Sequence, residues 1–425
     1  MNTKRAFQFL VSLIAIAILI IGCHSIVQHS ASTGSTPVVI KLSGWGSSPV
    51  EEELLKKVLK EFEVKHPHIK VKYEVISDQY MDVIKTRLIG EAAPDVFYLD
   101  SLDAPLLMSQ NVLEPLDKYI TPTFNLADFE ETLLNTFKYQ NHIYGLPKDF
   151  STLALFYNKK AFTAAGLTTP PSTWDELRAY SQKLTIDTNK DGRIDQYGFG
   201  ETSELARQAY KIKSFGGQIV DKNGYATFAS PAGLQGLQLV VDQYQKDRSS
   251  AQNSDVGTNS GSEMFGQGKV GMVIEGNWAI LYLKQTFPQI EFAIAEVPSI
   301  NNKKGTMVFT VAYVMNKQTK NKAEAWELIS FLTGKEGMKR WTESGFTLPT
   351  RKSVAKILGY DQDPLRSTFV TGIDYAMPWQ AGNYPAAITN NFDNQFVSAM
   401  LKQQPLKQAM LRAQQQANTQ IQLME

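Results

Sequence analysis

The run Asp187-Thr188-Asn189-Lys190-Asp191-Gly192-Arg193-Ile194-Asp195 carries side-chain oxygens at its first, third, fifth and ninth positions and glycine at its sixth. This is the layout of the first part of an EF-hand loop, in which Asp187, Asn189, Asp191, Asp195 and the backbone carbonyl of Arg193 would surround a calcium ion. Such a loop closes with a bidentate Glu at its twelfth position, which here is Gly198, with Glu201 and Glu204 further on. Two readings stand: a structural calcium site, or an Asx-rich turn whose side chains bond their own backbone. Other chemistry is thinly represented, and no cofactor is required. Gly266-x-Gly268-x-x-Gly271 has the spacing of a dinucleotide fingerprint, but the apolar strand-like run follows it instead of preceding it, so a turn is the better account. There is no Gly-x-Ser-x-Gly elbow and no His-Glu-x-x-His. His24 and His29 lie near the N-terminus, His66 and His68 flank Pro67, and His142 has no cysteine or second histidine close in sequence. Imidazole-based metal or triad chemistry is therefore not expected, whereas hydrolysis of a glycoside by paired carboxylates stays open.

The N-terminus carries an address. Lys4-Arg5 precede an apolar run over residues 7–21, which is the layout of an export signal and is short for a membrane span of about 20 residues. Ile20-Ile21-Gly22-Cys23 resembles a lipobox, in which the cysteine sulfur takes a diacylglycerol, although Leu is more usual at the first position and a small residue at the second. The expectation is a signal peptide over 1–22, a lipid on Cys23 and a flexible Ser/Thr/Gly-rich tether over 23–37, with an uncleaved anchor helix as the competing reading. Cys23 is the sole cysteine, so an intrachain disulfide is excluded. Removing Lys4 and Arg5 from 43 basic residues leaves 41 against 42 acidic, a net charge near −1. That balance gives no electrostatic reason for a nucleic-acid partner.

The elements that must position any site follow from periodicity. A chain of 425 residues fits about two domains. Residues 38–42 read as a strand. A helix follows with Ser48 as N-cap, Pro49 at the first helical position and Leu54, Leu55, Val58, Leu59 and Phe62 on one side. Residues 69–76 alternate as a second strand, and 93–100 read as a buried third strand ending at Asp100. Strand–helix–strand order predicts an α/β fold with a mostly parallel sheet, whose ligands sit beyond the carboxyl ends of strands, where Trp45 and Asp100 fall. Residues 152–158 read as a strand crossing into new territory, 307–315 as another apolar strand, and 405–422 as an amphipathic helix.

In their order and spacing, Ala93-Pro94-Asp95-Val96, Tyr144-Gly145-Leu146-Pro147, Leu155 to Phe162, Ala164-Ala165-Gly166-Leu167, Pro171 to Leu177, Glu275-Gly276-Asn277-Trp278 and Gly345 to Arg351 resemble the solute-binding proteins of ABC importers. The likeness is to the large group that includes maltodextrin- and glycerol-3-phosphate-binding proteins. The resemblance implies a two-lobed periplasmic-binding-protein fold with a ligand cleft between the lobes and several hinge crossings. Mapped here, lobe one is 38–147 plus 307–346 and lobe two 148–305 plus 350–425, with crossings near Pro147, Val308 and Pro349. It also implies a monomer outside the plasma membrane, tethered by its lipid, that captures a sugar-like ligand for membrane permease subunits and catalyses nothing. The alternatives are a secreted glycoside hydrolase and a binder of a phosphorylated polyol.

A sugar pocket needs aromatic platforms for C–H faces and fixed partners for hydroxyls. Trp174, Trp326 and Trp341 lie in helical patterns and read as packing, whereas Trp45, Trp278 and Trp379 stand in Gly/Pro-rich contexts. The resemblance gives Trp278 a stacking role, with Trp45 and Trp379 as further platforms. Asp100, Asp149, Glu275, Asn277 and Tyr80 are candidate polar contacts. Arg351, after the third crossing, would grip a hydroxyl or phosphate in a two-pronged way or form an interlobe ion pair. Phe309-Thr310 stand where the group more often has Gly-Gly, so backbone contacts to the ligand differ there.

Overall fold

The computed structural model describes residues 36–46 and 49–425; the leader, Cys23, most of the tether and Ser48 lie outside the described residues. Among the described residues, ten strands form one continuous sheet in the order β2-β1-β3-β9-β4-β7-β5-β6, with β8 added beside β4 and β10 beside β9. They are β1 (Val38–Gly44), β2 (Ile69–Val75), β3 (Val96–Asp100), β4 (Gly145–Asn158), β5 (Tyr197–Gly200), β6 (Ser250–Ala251), β7 (Val270–Gly276), β8 (Phe292–Ala295), β9 (Thr306–Met315) and β10 (Ala376–Pro378). The helices used below are α1 (Pro49–Lys65), α2 (Tyr80–Ile89), α3 (Trp174–Leu184), α4 (Leu205–Ser214), α5 (Trp278–Thr286), α6 (Lys322–Leu332), α7 (Lys335–Thr342), α8 (Pro385–Met400) and α9 (Leu406–Met424).

The sheet is parallel at its two ends, β1–β2–β3 and β7–β5–β6, as helix-linked strands must be. It is antiparallel through its middle, where β9 pairs with β3 and β4, and β4 with β7 and β8. The reason is geometric: β4 leaves lobe one and β9 returns, so the two run in opposite directions side by side. Two large buried clusters lie on either side of this middle. One joins Ile40, Phe62, Leu99, Leu146, Val314 and Leu328; the other joins Leu155, Phe199, Leu237, Met272, Phe392 and Ala413. A third, with Phe150, Phe156, Val308, Leu348 and Phe369, runs beneath the crossing strands.

The first helix shows how local sequence serves this plan. Pro49 opens α1 with Glu51 and Glu52 in its first turn, and Leu55, Val58, Leu59 and Phe62 are buried at the i, i+3, i+4, i+7 spacing. Pro67 then ends it, and β2 pairs in parallel with β1. At the crossing, Gly145 is required by close approach, since a Cβ there would meet the Ala312 Cβ at 2.8 Å. Pro147 cannot donate to a ladder, and the strand accommodates it with a bulge. Val311 pairs with Asp149 and Ala312 with Pro147, which leaves Lys148 as the extra residue. A third segment joins them: Phe150 and Leu348 exchange backbone bonds of 3.1 and 3.2 Å, and Thr350 Oγ1 donates to the Pro147 carbonyl at 2.7 Å. The segment just beyond, expected with lobe two, instead packs on lobe one, where Val354 joins the first cluster.

Candidate functional site

Trp278 is the exposed aromatic of the crossing region. It is the first residue of α5, straight after β7, and 39% of it is open to solvent, whereas Trp174, Trp341 and Trp379 are buried. Its ring is fixed from two sides. The indole N–H donates to Glu275 Oε2 at 3.0 Å, and Phe309 from β9 meets the ring edge-on at 5.8 Å. Glu275 is itself buried, and Arg207 of α4 donates to the same oxygen at 3.2 Å. The Arg207 guanidinium lies 5.6 Å from the Trp278 ring and 5.8 Å from Phe309. Its Nη1 is buried with no protein acceptor, which leaves a donor unspent beside the aromatic pair. A flat ring with a pinned edge and an unspent donor beside it is suited to a ligand with one apolar face and polar edges.

Lobe one contributes Asp100 at the carboxyl end of β3. It pairs with Val311 of β9, and Phe309 lies two residues along that strand on the same face. Asp100 Oδ1 accepts the Leu102 N–H at 2.7 Å. Burial pushes its carboxyl up to about 6, against the pull of that N–H, and the negative charge of Asp103 adds to the rise. Trp45, in the loop after β1, is half-buried and set edge-on to Tyr80 and Tyr98 at 5.0 and 5.2 Å. The lobes meet around residues 102–106. On one side is a cavity of about 410 Å3 lined by Tyr80, Lys85 and Leu102 against Tyr384 and Asn390. On the other is one of about 600 Å3 lined by Pro105 against Lys213, Asp221 and Gln380.

The remaining expected contacts are engaged by the protein itself, although Tyr80 also lines the first of these cavities. Tyr80 is a brace: its hydroxyl donates to the Ser43 carbonyl and accepts the Tyr98 N–H, each at 3.0 Å, tying α2 to β1 and β3. Asp149 is buried, bonded to Lys148 and accepting the Trp341 indole N–H at 2.8 Å. Asn277 is fully buried and holds the third crossing, donating from Nδ2 to the carbonyls of Gly345 and Phe346 at 3.2 and 3.0 Å. Trp379 is part of the lobe-two core. Arg351 is 2% exposed and spends four of its five donors on the carbonyls of Thr333, Asn125 and Phe124 and on Asp128, with Phe124 and Phe129 stacked on it at 4.7 and 4.1 Å. The ion pair weighed for Arg351 exists, but it lies inside lobe one. Arg207 was not among the expected residues, and nothing near it in sequence marks it; its acceptor, Glu275, is 68 residues away.

In the Asp187–Asp195 loop the side chains turn largely to their own backbone. Asp187 Oδ2 accepts from Gly192 at 2.9 Å, Asn189 Oδ1 from Asp191 at 3.0 Å, Asp191 Oδ1 from Arg193 at 2.8 Å and Asp195 Oδ2 from Thr188 at 2.7 Å. Asp187 Oδ1 is buried and has no partner. Gly198 cannot carry a larger residue, because a Cβ there would lie 2.0 Å from the Ser181 carbonyl oxygen. Glu201 is spent on Lys211, both oxygens at 2.9 Å, and on Gln208.

With this geometry in hand, comparison with known proteins defines the class. Residues 46–339 match the bacterial extracellular solute-binding protein family, and the chain belongs to that family. It is 28% identical over 334 residues to a putative binding protein of Brucella abortus, covering 77% of this chain and 79% of the relative. It is 26% identical to the arabinooligosaccharide-binding protein of Bacillus subtilis, covering 81% and 80%. Its fold matches that of an ABC substrate-binding protein of Listeria monocytogenes solved with cycloalternan, at a TM-score of 0.79 and 21% identity over 91% of this chain and 99% of that one. The two-lobed α/β architecture is that of these proteins. Among the described residues, no helix is long and apolar enough to cross a membrane.

The raised Asp100 carboxyl makes a stability prediction. Its neutral form suits the folded state better, so its contribution is fully present below the ordinary aspartate value near 4 and is lost as pH rises through about 6. Asp100→Asn keeps an oxygen for the Leu102 N–H and removes the charge. It is expected to melt above the parent at about pH 7 and to lose that advantage by about pH 4. Parallel melting curves at both pH values would overturn this account of Asp100.

Proposed function

We propose that this chain captures a sugar, oligosaccharide, glycoside or related polyol between its lobes and delivers it to the membrane permease subunits of an ABC importer. The observation that carries the reading is Trp278, exposed by 39% while Glu275 pins its indole N–H and Phe309 abuts its ring. A ring held this way offers a stacking face without loss of side-chain freedom on binding. Phe309 stands where the group more often has glycine and adds a second ring to the site. The named relatives support the ligand class, one being an arabinooligosaccharide-binding protein and another a structure with cycloalternan. A ligand touching both lobes favours the closed arrangement by its differential affinity.

Capture without turnover fits the state of the acids. Glu275 is engaged by Trp278 and Arg207, and Asp149 by Lys148 and Trp341, so neither stands ready as the partner of Asp100 in a hydrolytic pair. A neutral ligand fits better than a phosphorylated one, because Arg351 is spent inside lobe one and Arg207 is balanced by Glu275. The chain acts as an exported monomer tethered by a lipid on Cys23. The Asp187 loop serves as a structural calcium site, with the unpartnered Asp187 Oδ1 among its ligands and water completing the set that Gly198 and Glu201 do not supply.

A thermal-shift screen against sugars, glycosides and polyols tests the capture role. A ligand of the folded state adds about 2.7 kcal/mol at 100 times its dissociation constant, a shift of a few degrees. Trp278→Ala is expected to weaken the best hit at least tenfold, about 1.4 kcal/mol. No hit across the panel sinks the sugar assignment, and a hit that decays into product makes the chain an enzyme. In the same assay calcium is expected to raise the melting temperature of the parent and not of Asp187→Ala; equal responses would remove the calcium site. Cys23→Ser is expected to move the protein from the membrane fraction to the soluble one, and retention on the membrane would argue for an uncleaved anchor.

A further inference from the structure

His66 and His68 flank Pro67 in the turn between α1 and β2, and both imidazoles converge on one carboxylate of α6. His66 Nδ1 lies 2.6 Å from Glu327 Oε2, and His68 Nε2 lies 3.3 Å from Glu327 Oε1. One ligand atom from each of the three residues falls within 4.8 Å of the others, and this is the one His-containing cluster of that kind among the described residues. The backbone sets the approach. The His66 N–H closes the last turn of α1 on Phe62 O at 2.9 Å, Pro67 ends the helix, and the Ile69 N–H returns to His66 O at 2.9 Å. Two imidazoles at i and i+2 are thus turned to one side, with ring centroids 6.1 Å apart. The His66 ring is also held by stacking on Phe62 at 4.5 Å.

We propose that His66, His68 and Glu327 form a binding site for a divalent transition metal on the outer surface of lobe one. A simple ion pair needs one imidazole, and here two share a carboxylate. Ligand atoms around tetrahedral zinc, with bonds of about 2.0–2.1 Å, stand about 3.3 Å apart. The His68 Nε2–Glu327 Oε1 separation already has that value, while His66 Nδ1 approaches the other carboxylate oxygen, Oε2, so side-chain adjustment within the 4.8 Å cluster would bring the three onto one ion. A two-nitrogen, one-oxygen set suits Zn2+, Ni2+ or Cu2+ and not calcium or magnesium, which take oxygen ligands. His68 is exposed, so a fourth position stays open to water or to a donor from another molecule. Lys65, the residue before His66, is paired with Glu336 and lies over the Phe331 ring at 5.6 Å, so its charge is already met. The metal would staple the α1–β2 turn to α6, and the site is independent of the ligand cleft.

Zinc titration of the untagged full chain against a chromophoric competitor chelator tests the site. The expected result is one zinc ion per chain, with affinity reduced at least tenfold by His68→Ala and by Glu327→Gln and unchanged by His142→Ala. His68 is surface-exposed, so its variant should fold, and circular dichroism would verify this for each variant. No zinc binding by the parent overturns the proposal. So does binding of equal strength in the His68→Ala and Glu327→Gln chains, or binding lost only when His24 and His29 are replaced.

Discussion

The structure depends on the antiparallel pairing of β4 with β9. These two strands carry the chain out of lobe one and back, and their ladder runs through the boundary between the lobes. A buried backbone must have its polar groups paired, and here each strand supplies the other's partners where neither lobe's core could. The third segment, at Leu348 and Thr350, joins the same ribbon through Phe150 and Pro147. The consequence is one continuous sheet with a large core on either side of the crossing and a third cluster on the crossing strands themselves. Relative movement of the lobes must be absorbed by these few residues, because the cores on either side are close-packed. The bulge at Lys148 marks where the ladder is interrupted.

Buried charge near this ribbon separates into two kinds. Arg351 with Asp128 and Lys148 with Asp149 are enclosed ion pairs, and removing one member would leave an uncompensated charge in a dry interior. Such pairs fix where the crossings sit. Arg207 with Glu275 is arranged differently. The pair lies beneath an exposed indole, shares its acceptor with that indole, and keeps one guanidinium N–H without a partner. An unspent polar atom does not by itself mark a site residue, since Asn277 Oδ1 at the third crossing is also buried without a partner; Arg207 differs in lying against an exposed aromatic ring.

Much of the fold was legible in the sequence. The buried stripe of α1, the alternation of β2 and the strand ending at Asp100 follow from periodicity and from proline and glycine chemistry, which act over a few residues, whereas the crossing near Pro147 was implied by the family resemblance. The parallel sheet was foreseen at its ends only. Its antiparallel centre follows from the return of β9 beside β4, and the local pattern of either strand is silent on that pairing. Within the site, the Gly/Pro-rich contexts of Trp45, Trp278 and Trp379 looked alike, yet Trp379 closes a core while Trp278 is exposed.

The sequence by itself determined the export-like leader, a single cysteine, near-neutral charge, the α/β order and the family, since each is carried by residue identity and short spacing. Only the tertiary structure decided which partner each polar side chain meets. Arg351 meets partners 223 to 227 residues away, His66 meets Glu327 across 261, and Trp278 meets Phe309 through separate elements. The availability of a donor depends on which distant groups reach it first, and that is settled by packing.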